Sequence, residues 1–158
     1  RRGTSGMISL EETHIENRAL VHPNDTNNNG TAHGGNVVKW MDEVGAMSAM
    51  RFAGETVVTA QMEGVDFHRP IPRGNTALIE SYVYDAGTTS VSVYLRVFSE
   101  DPLSGETELT TESHFVYVAI DEDNAPTPVP DLDVSSERAV ELRDAANGDV
   151  TDERVDAE

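Results

Sequence analysis

Two adjacent glycines, Gly34 and Gly35, open a segment with helical spacing, and an aspartate, Asp42, lies two turns further on. Glycines at a helix start leave backbone N–H groups uncovered, and the positive end of the helix dipole backs those donors. Such a start suits a carbonyl oxygen that gains negative charge in a reaction. It equally serves as a plain tight turn. At about 100° per residue, Val37, Val38, Met41, Val44, Gly45, Ser48 and Phe52 share one side, while Lys39 and Glu43 fall opposite. Asp42 lies on the flank of the apolar stripe beside Ala46 and Ala49. An aspartate there is either a solvated helix-face acid or a base poised among small and apolar neighbours. His33, directly before the glycines, either touches a substrate or caps the turn.

Other chemistries are missing. The sequence has no cysteine, which removes disulfides, a thiol nucleophile and thiolate-bound metal. His14, His22, His68 and His114 have no ligand spacing to one another, so no metal site is expected. No His-Glu-x-x-His, Gly-x-Ser-x-Gly, Walker or dinucleotide glycine motif occurs. Glu63 and Asp66 alternate with Gln61 and read as water-facing strand residues.

The elements that must position Asp42 follow from the pattern. Residues 14–21 form a weak alternating strand, and the Pro23–Gly30 stretch is dense in turn formers. The long helix is expected over Asn36 to Ala53, capped by Asn36 or the preceding turn and closed by Gly54. Small residues at Gly45, Ala46 and Ala49 invite close approach of another backbone. The period then changes to two, giving strands over 56–67, 76–85, 90–99 and 107–120. Turns fall at Arg69–Gly74, Ala86–Thr89 and Glu100–Glu106. Short loops imply antiparallel neighbours. The fold class is therefore α+β, a five-stranded antiparallel sheet wrapped around one long central helix.

The 158 residues fit one domain with a hydrophobic core. Residues 1–6 read as a non-native scar or a disordered start, 7–132 as the domain, and 133–158 as an acidic tail in which 134–146 can form a short surface helix before a frayed end. No apolar run is long enough to span a membrane and no export-type apolar region is seen, so a cytoplasmic location is expected. Acids outnumber bases 29 to 11, for a net charge of −18, and Lys39 is the single lysine. Such a surface repels nucleic acid and anionic membranes. Because the acids are scattered through the whole chain, the composition reads as a halophile's surface rather than a partner-binding acidic tail.

The run Pro23-Asn24-Asp25-Thr26-Asn27, Gly30-Thr31-Ala32-His33-Gly34-Gly35 and Met41-Asp42 resembles the signature of hotdog-fold acyl-CoA thioesterases. The likeness continues through Val57-Val58-Thr59, Glu63, Phe67 to Ile71, Gly74, Gly87 to Ser90 and Phe115 to Asp121, ending at Pro128-Val129-Pro130. It covers about residues 14–132, in order and at fitting spacing.

The resemblance implies the hotdog fold, pairing of two copies across a continuous sheet, and assembly of three such pairs into a homohexamer, with active sites between subunits. It implies hydrolysis of acyl-CoA to a free acid and CoA, with no cofactor, since coenzyme A belongs to the substrate. Asp42 is then the catalytic acid that activates water or attacks the carbonyl, and the Gly35 backbone N–H polarises that carbonyl. In many relatives the position of Thr31 holds Asn or Asp that shares the catalytic role; threonine cannot be a base but can orient water, and Asn28 or Asn29 is a partial substitute. His33 and Gly34 adjoin the substrate.

A polyanionic CoA needs local bases or donors on so acidic a chain. Arg69 and Arg73 flank the Pro70–Pro72 turn, with Arg51 near the helix end, and Thr88, Thr89 and Ser90 offer N–H and hydroxyl donors to phosphate. Trp40, Met47, Met50 and Met62 are expected to set acyl-pocket depth. The competing reading is a non-catalytic hotdog module that binds acyl-CoA. A hydratase is weaker, because no Asp-plus-His pairing is evident. A retained Asp42 beside the glycine helix start favours hydrolysis.

Overall fold

Helix α1 (Gly34–Ala53) begins two residues earlier than the spacing predicts, because His33 rather than Asn36 caps it. The Gly35 N–H donates to His33 Nδ1 at 3.1 Å, and Gly54 closes the helix in the left-handed conformation (φ +66°) that glycine adopts without strain. The computed structural model describes residues 6–148. The scar expected at 1–6 therefore lies outside the described residues except for Gly6, and so does the frayed end expected after residue 148.

Seven of the eight strands run in chain order β1 (Met7–Ser9), β2 (Ile15–Leu20), β3 (Thr56–Met62), β4 (Asp66–Phe67), β5 (Thr76–Ala86), β6 (Ser90–Glu100) and β7 (Thr107–Ile120). The main sheet has the antiparallel order β2-β5-β6-β7-β3 and curls around α1, with two-residue β4 added beside β7. This is the sheet wrapped around one long helix that the period switch and short loops imply, and the hotdog architecture that the family resemblance implies. The single strand expected over 56–67 is broken into β3 and β4, and the β3 register against β7 shifts between Thr59 and Gln61. A β-bulge of this kind bends a strand and re-aims its side chains. A small parallel pair, β1 with β8 (Asp131–Asp133), ties the two ends of the domain together.

Alternation places two different faces to work. Ala77, Ile79 and Val83 of β5, Val93, Leu95 and Val97 of β6, and Phe115, Tyr117 and Ala119 of β7 turn inward onto Val37, Met41, Val44, Ala49 and Phe52 of α1. The outward face is also covered. Helix α2 (Glu137–Ala146) buries Ala139, Leu142 and Ala146 against Leu10, Tyr82 and Tyr94. Its backbone is gripped by the sheet, since the Leu142 carbonyl accepts from the Tyr82 hydroxyl at 2.5 Å and His114 Nε2 lies 2.8 Å from the Ala146 carbonyl. The C-terminal helix is thus part of the packed domain rather than a loose surface appendage. Among the described residues no helix is long and apolar enough to cross a membrane.

Folding also joins residues with no spacing relation in the sequence. His14, Glu16 and Glu80 bring their ligand atoms within 4.8 Å of one another. Glu80 is already engaged by His14 (2.9 Å) and by Arg96 (2.8 and 3.0 Å), so the group is organised around an ion pair.

Candidate active site

Asp42 projects from the half-buried flank of α1 toward the β3–β7 pair. Thr59 and Tyr117 are direct cross-strand partners, so their side chains leave the sheet on the same face. Both hydroxyls converge on one carboxylate oxygen: Thr59 Oγ1 donates to Asp42 Oδ1 at 2.8 Å, and the Tyr117 hydroxyl lies 3.0 Å from Oδ1 and 3.1 Å from the Asp42 carbonyl. Burial, then the Asp42 charge and its hydrogen bond, push the Tyr117 phenol far above its ordinary value. It therefore remains a proton donor at any working pH. Among the described residues Oδ2 has no hydrogen-bond partner, so it is the oxygen left for a water or a substrate.

A second cluster lies at the N-terminal end of α1. A cleft of about 380 Å³ is lined by Asn27, Thr31, Gly34, Phe67, Arg69 and Ile71, among others. It is assembled by the loop before α1 and the turn after β4: the Ala32 N–H donates to the Ile71 carbonyl at 2.8 Å, and Thr31 bridges to Pro72. Thr31 is not an isolated substitute for a missing polar residue. Its hydroxyl donates to Asn27 Oδ1 at 3.2 Å and its N–H to the same oxygen at 3.3 Å, and the Asn27 N–H returns a bond to the Thr31 carbonyl at 2.9 Å. Asn27 is thereby fixed at the cleft wall, whereas Asn28 lies exposed and outside the lining. The asparagine of this cleft is one residue earlier than the one the sequence singles out.

Several expected site residues take other places. The Gly35 N–H is occupied by His33 as a helix cap, while the Gly34 backbone lines the cleft beside the Phe67 ring. Arg69 lines the cleft, but its guanidinium also donates to the Leu109 carbonyl at 2.9 Å and pairs loosely with Glu108 at 3.7 Å. Arg73 is exposed beyond the lining and is tied through its N–H to the Gly30 carbonyl. Thr88, Thr89 and Ser90 form the β5–β6 turn. The Ala119 N–H binds the Thr89 carbonyl there, which places the turn by the β7 end that pairs with the start of β3, remote from the cleft of the same chain. Arg51 is on the last turn of α1, also away from the cleft.

Trp40, Met47 and Met50 do gather, in a groove of about 440 Å³ between α1 and β2, but this is the other flank of the helix from Asp42. Met62 lies on β3, outside it. The close approach invited by Gly45 is made by a side chain, Tyr117, and not by another backbone.

Within one chain the two clusters do not meet. Asp42 is seven residues along α1 from Gly35, about 10 Å along the axis, and Asp42 does not line the cleft. The sequence did not single out Asn27, Thr59 or Tyr117, which the structure places in these two clusters.

A thioesterase superfamily model matches residues 29–106. The uncharacterized acyl-CoA thioester hydrolase YkhA of Bacillus subtilis is 35% identical over 136 residues, 86% of this chain and 79% of that protein. The chain belongs to the hotdog acyl-CoA thioester hydrolase family. An apo-hexameric acyl-CoA thioesterase superposes on this thioesterase chain with a TM-score of 0.82 at 39% identity, covering 90% of this chain and 91% of the other. An acyl-CoA hydrolase from Staphylococcus aureus, in complex with butyryl coenzyme A, coenzyme A and coenzyme A disulfide, gives a TM-score of 0.82 at 31% identity, over 90% of this chain and 87% of that one. Structures of that enzyme with alanine in place of a threonine, an asparagine and an aspartate are similar as well.

Proposed function

We propose that the chain hydrolyses acyl-CoA thioesters to a carboxylic acid and CoA, with Asp42 Oδ2 taking the proton of the attacking water or itself attacking the carbonyl. The observation that carries this is a half-buried carboxylate with one oxygen clamped by Thr59 and Tyr117 and the other open, on the central helix of a chain in this family. The three residues replaced by alanine in the S. aureus enzyme stand in the order and spacing of Asn27, Asp42 and Thr59 here, which supports assigning the site to these three. In this reading the Gly34 N–H at the helix start and the Asn27 side-chain amide polarise the thioester carbonyl, Thr31 holds Asn27, and His33 fixes the turn by capping the Gly35 N–H. Water oxygen adds to the carbonyl carbon, the C–S bond breaks, and the CoA thiolate leaves and is protonated.

A site completed by a second copy follows from the separation of Asp42 and the cleft. Among the described residues strand β3 has one unpaired edge, and Val58 and Met62 on it and Phe67 of β4 are 46%, 40% and 49% exposed. An open apolar edge of this kind is a ready template for pairing with a strand of another chain. Antiparallel pairing along it would bring one copy's Asp42 and Thr88–Ser90 turn toward the other's Asn27–Arg69 cleft. A trimer of such dimers is consistent with the hexameric state of the similar thioesterase.

Thiol release from acyl-CoAs of graded chain length tests the reading. Release of CoA is expected with at least one chain length; binding without release across the series would instead make the chain a non-catalytic acyl-CoA module. Arg69 is proposed to meet a CoA phosphate, because it is the cleft's cationic side chain. Arg69→Ala should raise KM severalfold at nearly constant kcat, and an unchanged KM would remove it from the substrate site.

The distribution of 29 acids also supports a surface adapted to high salt. Shortening the Debye length from about 10 Å to about 3 Å between 0.1 and 1 M salt relieves repulsion among such charges. The thermal midpoint should therefore climb with potassium chloride, and one that is flat up to molar salt would overturn this assignment.

A further inference from the structure

Tyr117 can reach Asp42 only because α1 has no side chain at residue 45. Gly45 lies three residues after Asp42, on the same face of the helix. A Cβ placed there would sit 2.5 Å from the Tyr117 hydroxyl, 3.3 Å from its ring carbon and 3.4 Å from Leu95. Gly45 is buried in the middle of a helix, where glycine costs about 1 kcal/mol relative to alanine, and its φ is not in the left-handed region that would itself demand glycine. The conformation thus gives no reason for glycine at this place, but the phenol does.

We infer that Tyr117 and Gly45 form a positioning pair for Asp42, in which the glycine admits the phenol against the helix and the phenol holds Oδ1 so that Oδ2 faces the reacting atoms. The inference rests on the thioesterase reading above. Three observations converge on it. Tyr117 bridges the Asp42 main chain and side chain, fixing the carboxylate relative to the helix as well as the strand. Thr59 supplies the second donor to the same oxygen and is the register partner of Tyr117, so both donors come from one rigid rung of the sheet. The rung lies beside the β3 bulge, where the strand departs from regular pairing. A tyrosine kept for packing alone would need neither a hydroxyl aimed at a carboxylate nor a hole in the opposing helix.

The test is a double-mutant cycle on the intact protein, with acyl-CoA turnover and thermal midpoint both read. Tyr117→Phe keeps the ring and removes the hydroxyl; kcat should fall about tenfold or more, the size of a lost hydrogen bond to a charged group, with KM nearly unchanged. Gly45→Ala should displace the hydroxyl and lower kcat to the same level. The double variant Gly45→Ala/Tyr117→Phe should be no slower than Tyr117→Phe, because the atom that the new methyl strikes has gone. Full kcat in Tyr117→Phe, or losses in the double variant that multiply, would overturn the inference. Should Gly45→Ala not fold, Tyr117→Phe decides alone. Asp42→Asn in the same assay separates the two levels: an active Asp42→Asn sinks the thioesterase mechanism, whereas an inactive Asp42→Asn beside a fully active Tyr117→Phe sinks only the positioning pair.

Discussion

Asp42→Asn should lower kcat by about 10²–10⁴-fold, the range contributed by a well-placed general base, while KM and the thermal midpoint stay close to those of the parent. The amide is nearly isosteric with the carboxylate. Its oxygen can still accept from Thr59 and Tyr117, so the hydrogen bonds that hold the side chain survive the change. What is lost is the open, proton-accepting Oδ2. A retained midpoint matters to the interpretation, because Asp42 belongs to a chain of contacts from α1 to the β3–β7 pair and a collapsed site would also be inactive. Turnover unchanged in Asp42→Asn would move the chemistry to another residue. A loss of thermal stability matching the loss of activity would mean that the carboxylate is structural. The sheet side of the site gives a graded companion: Thr59 donates through a hydroxyl only, so its role is to aim Asp42, and the base itself remains when Thr59 is replaced.

The fold was largely legible because it depends on period and loop length. The inward residues of β5 and β6 repeat every second position, and the apolar stripe of α1 repeats at helical spacing, so both could be read before any contact was known. Asp42 was legible for the same reason, as an acid on the flank of that stripe. Its clamp was not. Thr59 and Tyr117 are 58 positions apart, and they meet through the β3–β7 register, which a bulge one residue away shifts. Nothing in either strand's own pattern announces that register. Gly45 was noticed as a small residue, but only the register shows that a phenol fills the space beside it. The Gly35 N–H was assigned to a substrate because glycine starts look open; His33 closes it, a local cap that the residue type at position 33 already allowed. That Asn27 lines the cleft, rather than the Asn28 or Asn29 that the sequence pointed to, depends on loop conformation, with Asn27 Oδ1 accepting from the Asn29 and Thr31 N–H groups and the Thr31 hydroxyl. Helix α2 was underestimated because its apolar positions are few. Leu142 and the three alanines at 139, 145 and 146 suffice only because tyrosines of the sheet's outward face supply the opposing surface.

On that outward face, Arg96→Met should destabilise the fold by about 3–5 kcal/mol, the cost of leaving a buried charge without its partner. Arg96 and Glu80 face each other across β5 and β6, each 1% exposed, with bonds of 2.8 and 3.0 Å to Glu80 Oε1, and His14 Nε2 takes Oε2 at 2.9 Å. Burial acts to raise the Glu80 carboxyl, but the His14 hydrogen bond and the Arg96 charge outweigh it and hold it below its ordinary value near 4.5. A depressed carboxylate stabilises the fold above that ordinary value, and the contribution is lost as pH falls through the folded value. In Arg96→Met the balance reverses toward burial, which favours the neutral carboxyl, so the variant gains relative stability as the pH drops. The deficit against the parent should accordingly be largest near neutral pH and shrink below about pH 5. Replacing both groups, as Glu80→Leu/Arg96→Met, should recover most of the loss, since no charge is then left buried and the aromatic rings of Tyr94 and Phe98 flank the site. Thermal unfolding of the three proteins across pH measures this. A double variant as unstable as the single, or a deficit independent of pH, would show that Arg96 acts through packing along its stem rather than through its charge on Glu80.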